Sequence, residues 1–327
     1  MISTKKIKYI LQKNKNLFRY FQYMYNLVLH PNRLMAKKSF GSLNKDRTIL
    51  IIRPSTDDGV QGLMSLFIQA MHWIEYANQK CCIPFVDFKN YKTQYSNGID
   101  NVWEYYFTQP SDLCIDDVYN SCNVNLSGVS LKRRIDIDTF RGEVFNNKDL
   151  CKRCYDLIWN NIDLSEEVYS IVDKENKDIH VENCLGLYIR GTDYVKLKPP
   201  GEYVQPTIED VIKKVYEFLA EYGKMDIFLV TEDNDYYQLL QQQFGDQIRL
   251  VSFDTFIENY DGRTFLSQCN VLNEDKKRRG MDYLVKIILL SKCKYLISSI
   301  TMGSIAAYCF NGGKYEDEYI FDLGLYR

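Results

Sequence analysis

The sequence predicts an α/β protein with parallel sheets, and three observations carry that expectation. From residue 185 to the end, short apolar runs alternate with helical patterns, the order that builds a doubly wound sheet. An earlier unit opens in the same way, as strand, loop, helix and strand. The 327 residues, 46% of them hydrophobic and 26% charged, suffice for one large core or two ordinary ones.

The first apolar run, Thr48 to Arg53, reads as a buried strand, and Pro54-Ser-Thr-Asp-Asp-Gly59 reads as a turn. Val60, Leu63, Met64, Phe67, Ala70, Met71 and Ile74 then recur at helical spacing, and Cys81 to Val86 form a second strand. Residues 87 to about 180 hold weaker helical patterns such as Leu150 to Ile162. The polar run Asp173 to Asp178 interrupts apolar periodicity and is the linker candidate. Beyond it the spacing predicts strands at 185–190, 226–231, 248–252, 294–298 and 319–323, and helices at 207–222, 234–244, 281–292 and 303–310. Thr207 with Asp210 forms a capping box, Asn311-Gly-Gly313 stops the 303–310 helix, and the largely apolar 281–292 helix is expected to be central. The division that follows is a leader at 1–47, a first α/β domain at 48–178 and a second at 179–327.

A formal charge of −2 hides an asymmetry, because residues 1–48 carry eleven Lys and Arg against the single acidic Asp46, a net +10. Ile7, Ile10, Leu11, Phe18, Phe21, Tyr25 and Val28 lie near helical spacing, with Lys5, Lys6, Lys8, Lys13, Lys15 and Arg19 on the polar side. Residues 1–30 thus fit an anionic membrane surface, or a helix packed on the protein's own body. The acidic remainder disfavours nucleic acid, and no apolar run is long enough to span a bilayer. The ten cysteines are mostly single and Met1 to Lys8 is too polar for a signal peptide, so the expected location is the cytoplasm, peripheral on the inner face of the membrane. Cys151-x-x-Cys154 lacks a second ligand pair and His180 stands alone, which disfavours zinc.

In open α/β sheets ligands gather at the C-terminal strand ends. There the chain places Arg190, Gly191, Thr192 and Asp193, then Glu232 and Asp233, then the hydroxyl-rich Ser298 to Ser304. Arg190 is a permanent cation with a donor fork suited to phosphate; the competing reading is a strand-end arginine paired with Asp193. Ser299, Thr301, Gly303 and Ser304 open directly into a helix, whose N–H groups and dipole suit a diphosphate or need no ligand at all. Glu232 and Asp233 can accept from a ribose, a sugar hydroxyl or a guanine edge, or complement the next helix.

The segments Leu185-Gly-Leu-Tyr-Ile-Arg-Gly-Thr-Asp193, Val204-Gln-Pro-Thr-Ile-Glu-Asp210, Ile227-Phe-Leu-Val-Thr-Glu-Asp233 and Leu289-Leu-Ser-Lys-Cys-Lys-Tyr-Leu-Ile-Ser-Ser-Ile-Thr-Met-Gly-Ser304 resemble, in order and spacing, the GDP-fucose fucosyltransferase superfamily. That superfamily includes the α1,6-, nodulation, α1,2- and protein O-fucosyltransferases. The resemblance implies a two-domain GT-B fold with a cleft, donor binding by the C-terminal domain, and inverting transfer without a metal or cofactor. It implies that Arg190 contacts the donor phosphates, that Thr192 and Asp193 complete its motif, that Glu232 and Asp233 hold the nucleoside, and that Ser299, Thr301, Gly303 and Ser304 form the phosphate loop. Asp58-Gly-Val-Gln-Gly-Leu-Met64 is similar to the family's early glycine loop. The chain departs from the pattern at Tyr188, where the family has a histidine, at Gly191, where a second arginine is frequent, and at Lys286, where an aspartate stands, with Asp282 one turn earlier.

The expected activity is transfer of fucose from GDP-fucose to a glycan or lipid-linked acceptor in surface polysaccharide or glycoconjugate synthesis. Asp58, Asp57, Asp193 and Glu202 are candidate bases, with Asp58 preferred, and replacing Arg190 by Ala is expected to cost turnover without unfolding. The alternatives are another nucleotide-sugar, a metal-dependent transferase using Asp136-x-Asp138 or Asp233-x-Asp235, an epimerase or hydrolase, and a non-enzymatic envelope-assembly scaffold.

Overall fold

The computed structural model describes residues 15–55, 61–131, 137–258, 260–263, 265–266 and 275–327. Helix α1 (Lys15–Leu29) leads into strand β1 (Ala36–Lys38), and the first unit continues through β2 (Ile49–Ile52), α2 (Leu63–Gln79), β3 (Ile83–Val86), a short α3 (Ile115–Val118) and β4 (Val124–Leu126). The sheet order is β1-β4-β2-β3, with β2 parallel to both neighbours and β1 antiparallel on the edge. All four residues of β2 are buried because this strand is covered on both faces, which is why its sequence is a continuous apolar run.

Helices α4 (Ile137–Asn146), α5 (Lys148–Trp159) and α6 (Glu166–Ile179) come next. The second unit follows as β5 (Leu185–Tyr188), α7 (Thr192–Leu197), α8 (Ile208–Tyr222), β6 (Ile227–Val230), α9 (Asn234–Phe244), β7 (Ile248–Arg249), α10 (Lys276–Leu290), β8 (Tyr295–Ser299), α11 (Met302–Asn311) and β9 (Asp317–Phe321). Its five strands are all parallel in the order β7-β6-β5-β8-β9. The chain winds outward from β5 through β6 to β7, then returns to place β8 on the other side. A crevice therefore opens at the C-terminal ends of β5 and β8, where successive connections leave in opposite directions.

One apolar cluster joins the two units, running from Leu50, Ile52 and the buried side of α2 through α5 and α6 to α10 and α11. Phe67 of α2 meets Phe310 of α11 with ring centroids 4.9 Å apart. Across the second sheet, Leu185, Leu187 and Ile189 pack with Val211 and Val215 of α8.

Three features differ from the sequence-based expectation. The polar run 173–178 is the second half of α6, not a linker. Val168, Val172, Glu175 and Ile179 make its buried stripe, and the buried Glu175 disguises the period. Its carboxylate accepts from Ser252 N and Oγ, both at 2.6 Å. The end of the leader contributes edge strand β1, which its basic residues concealed. Helix α10 starts five residues before the expected position, because Asp275 caps it by accepting from Arg278 N and its first turn is the basic Lys276-Lys-Arg-Arg279.

Candidate active site

The short β5 delivers Tyr188 and then Arg190 to the same face of the second sheet, since alternate residues share a face. Ile189 points into the opposite core. The next residue must be glycine. A Cβ on Gly191 would lie 2.2 Å from Asp233 Oδ2, in the space that Thr192 N uses to donate to that oxygen at 2.8 Å. The family's frequent second arginine is thus excluded here by the loop after β6.

Arg190 meets carboxylates inside the protein. Its Nε donates to Asp193 Oδ1 at 3.2 Å and its terminal amine to Oδ2 at 3.1 Å, while Glu232 Oε1 lies 3.7 Å from Nε. The guanidinium stacks over Tyr194, 4.4 Å from the ring centroid. Burial opposes its charge, but Glu232 and Asp193 outweigh that and hold its pKa well above the ordinary value. Burial raises the pKa of Glu232, against the pull of Arg190 and of the Thr192 hydroxyl, which donates to Oε1 at 2.8 Å. The side chain of Asp193 is 1% exposed, and its Oδ2 also accepts from Leu266 N at 3.1 Å. The enclosed carboxylate is thus committed to Arg190 and to the backbone of Leu266.

Asp233 accepts from Tyr236 N at 3.0 Å, capping α9, and spends its other oxygen on Thr192 N. Its partner in the acidic pair, Asp235, is exposed. Asp136 lies outside the described residues, as does the side chain of Asp138. Among the described residues no group of three or more His, Cys, Asp or Glu side chains is placed to hold a metal ion.

The loop after β8 is built as expected, but its hydroxyls are committed. Ser299 Oγ donates to Gln205 Oε1 at 2.6 Å. Thr301 and Ser304 form a reciprocal capping box, Ser304 N donating to Thr301 Oγ1 at 3.2 Å and Thr301 N to Ser304 Oγ at 2.9 Å. What this loop presents to a ligand is the first turn of α11, with its backbone N–H groups and dipole. Gly303 keeps that turn open to two phenols, since a Cβ there would lie 2.4 Å from Tyr283 Oη and 2.6 Å from Tyr188 Oη. The two hydroxyls are 3.2 Å apart. Tyr188, at the family's histidine position, therefore reaches the start of α11 from beside Arg190.

On the facing side, Leu63 N at the start of α2 donates to Tyr95 Oη at 3.1 Å, and Arg279 of α10 lies over the Tyr95 ring at 5.7 Å. Asp57 and Asp58, the preferred base among them, lie outside the described residues. Glu202 is half-buried on the loop before α8, where its backbone carbonyl accepts from Tyr326 N at 2.9 Å. One helical turn along α10 from Asp282, Lys286 pairs with Asp254, whose side chain is 3% exposed and whose Oδ2 has no hydrogen-bond partner among the described residues. Burial raises the pKa of Asp254, with Lys286 opposing. Cys151 and Cys154 are buried in α5, whereas His180 is an exposed left-handed cap of α6, so these three residues do not converge.

The sequence brought forward Arg190, Thr192, Glu232, Asp233 and the 299–304 loop, and the structure gathers them at one sheet edge. It did not bring forward Tyr95, Gln205, Tyr283 or Arg279. The available signal was the helical spacing of Arg279 and Tyr283, hidden by a helix start set too late.

No family model matches the chain, and no curated protein matches it. Among solved structures it is similar to the NodZ α-1,6-fucosyltransferase soaked with GDP-fucose, at 13% identity over 81% of this chain and 93% of that one, TM-score 0.46. It is also similar to a FUT1 mutant from Arabidopsis thaliana in complex with GDP, at 8% identity over 92% and 74%, TM-score 0.49. The apo form of POFUT1 shares 8% identity over 86% and 99%, TM-score 0.47. At this level of identity the likeness between the chain and these fucosyltransferase structures is one of fold.

Proposed function

We propose that the protein is an inverting, metal-independent glycosyltransferase that transfers fucose from GDP-fucose to a glycan acceptor in surface polysaccharide or glycoconjugate synthesis. One observation carries the reading: β5 pairs with β8, so the strand end that delivers Arg190 lies beside the loop that opens α11, on the segments whose motifs resemble that superfamily. In this proposal residues 179–327 hold the donor and residues 48–178 face the acceptor. The nucleotide-sugar enters as substrate. Arg190 and the α11 dipole stabilise the departing diphosphate, and a carboxylate of the 57–58 loop takes the acceptor proton.

A thermal-shift panel of GDP-, UDP-, CMP- and dTDP-sugars tests the donor. GDP-fucose at a hundred times its Kd is expected to add about 2.7 kcal/mol of stability, read as a rise of several degrees, with the other sugars near zero. A shift with another nucleotide-sugar alone changes the donor. Turnover of donor without acceptor favours an epimerase or hydrolase, and no shift with any nucleotide favours the scaffold.

We also propose that residues 1–30 dock on the anionic inner face of a membrane. Phe21, Met24, Tyr25 and Val28 of α1 are exposed, whereas the polar Asn26 is buried, so the apolar side of this helix is turned away from the protein. No helix among the described residues is long and apolar enough to cross a membrane. Sedimentation with anionic vesicles is expected to recover the protein and Phe21→Glu with Val28→Glu to release it; wild type left in the supernatant overturns docking.

A further inference from the structure

Arg190 alone makes a poor site for a dianion. Asp193 at 3.1 Å and Glu232 at 3.7 Å already face it, and Asp233 stands against the neighbouring Gly191. Three carboxylates and one guanidinium sum to a formal −2, before a nucleoside diphosphate sugar brings two more negative charges. The dipole of α11 offsets about half a charge. A second cation is needed, and the contact between Gly191 and Asp233 bars it from the loop after β5.

The first turn of α10 holds four basic side chains, and three are committed elsewhere. Lys276 Nζ donates to Ser96 O at 3.5 Å, Lys277 pairs with Glu167 at 2.6 Å, and Arg278 pairs with Asp282 at 2.5 Å. Arg279 instead lies on the ring of Tyr95, and among the described residues no carboxylate pairs with it. A contact with an aromatic face leaves the five N–H donors of a guanidinium available.

Its position is well defined. Tyr283 lies four residues on, hence on the same face of α10 one turn away, and its hydroxyl touches Tyr188 Oη at the mouth of α11. Tyr106 Oη donates to Lys277 O at 3.2 Å and pins the same turn to the first unit. Burial raises the pKa of the Tyr95 phenol, while the N–H of Leu63 and the charges of Arg279 and Arg190 lower it, as expected if both cations flank this ring.

We propose that Arg279 is the second cation of the diphosphate site, binding the leaving diphosphate together with Arg190 and the first turn of α11. The inference rests on the nucleotide-sugar reading above. Its test is calorimetric titration of GDP and of guanosine into the wild type, Arg279→Gln, Arg279→Lys and Lys277→Gln. GDP affinity is expected to fall about 10- to 100-fold in Arg279→Gln, to recover in part in Arg279→Lys, and to stay within about twofold in Lys277→Gln, with guanosine affinity unchanged throughout. Wild type that binds no GDP overturns the donor reading itself. Wild type that binds GDP while Arg279→Gln binds it equally well overturns the role of Arg279 alone. Equal loss of GDP and guanosine in Arg279→Gln assigns the residue to structure and also overturns the role, and Arg279→Lys, which keeps the charge, decides the case if the glutamine variant does not fold.

Discussion

Arg190→Ala is expected to lose stability as well as turnover. Its guanidinium is the cation of the enclosed Asp193, so truncation leaves a buried carboxylate without its counter-charge. Breaking a buried pair in this way costs about 3–5 kcal/mol, a large part of the roughly 5–15 kcal/mol by which a typical protein is stable. The fall in kcat is expected to be about 10²–10³-fold, the effect of removing one preorganised donor from a developing oxyanion. The sequence-based expectation is a loss of turnover without unfolding; the buried Asp193 adds a stability cost to it. Arg190→Ala combined with Asp193→Asn separates the two roles, because it removes the orphaned charge: denaturant unfolding is expected to return towards wild type while kcat stays low. A single variant with wild-type kcat removes Arg190 from the mechanism, and a single variant with wild-type stability shows that Asp193 does not depend on it.

Lys286→Met is expected to produce a comparable loss of stability at neutral pH. Asp254 is 3% exposed and Lys286 is its partner from α10, so the variant buries an unpaired carboxylate at a cost of about 3–5 kcal/mol. The pH dependence has a definite sign. Burial already holds the pKa of Asp254 above the ordinary carboxylate value, and losing the opposing cation raises it further. A carboxyl group with a folded-state pKa above its unfolded value favours the fold below the unfolded pKa, and that contribution is lost as pH rises through the folded pKa. The deficit of Lys286→Met is therefore expected to be largest near pH 7 and to shrink as pH falls towards the ordinary carboxylate range. Asp254→Asn in the same chain should remove most of it. Denaturant midpoints for the three proteins at acidic and neutral pH check this; a deficit independent of pH means that Asp254 is not the charge left behind.

Lys286 also shows how far the sequence could be read. In the sequence it stood only as a departure from the aspartate of a resembling family. In the structure the position holds a buried ion pair with a residue thirty-two positions earlier. Arg190 shows the same limit from the other side. Its place at a strand end was legible, and so was its pairing with Asp193 three residues on, but not its approach to Glu232. The polar run 173–178 was misread because one buried Glu replaced an apolar residue in an otherwise regular helical stripe.

By itself the sequence determined the alternation of strands and helices in the second unit, the cap at Thr207, the glycine stop of α11 and the residues just beyond each strand. Periodicity, capping and turn chemistry act over a few residues, so the chain states them locally. Only the tertiary structure decided the strand order that puts β8 beside β5, the approach of Glu232 to Arg190, the phenols of Tyr188 and Tyr283 at the head of α11, and the approach of Arg279 to Tyr95. Each of these joins residues tens to nearly two hundred positions apart, and charge and packing between such residues exist only once the chain has folded.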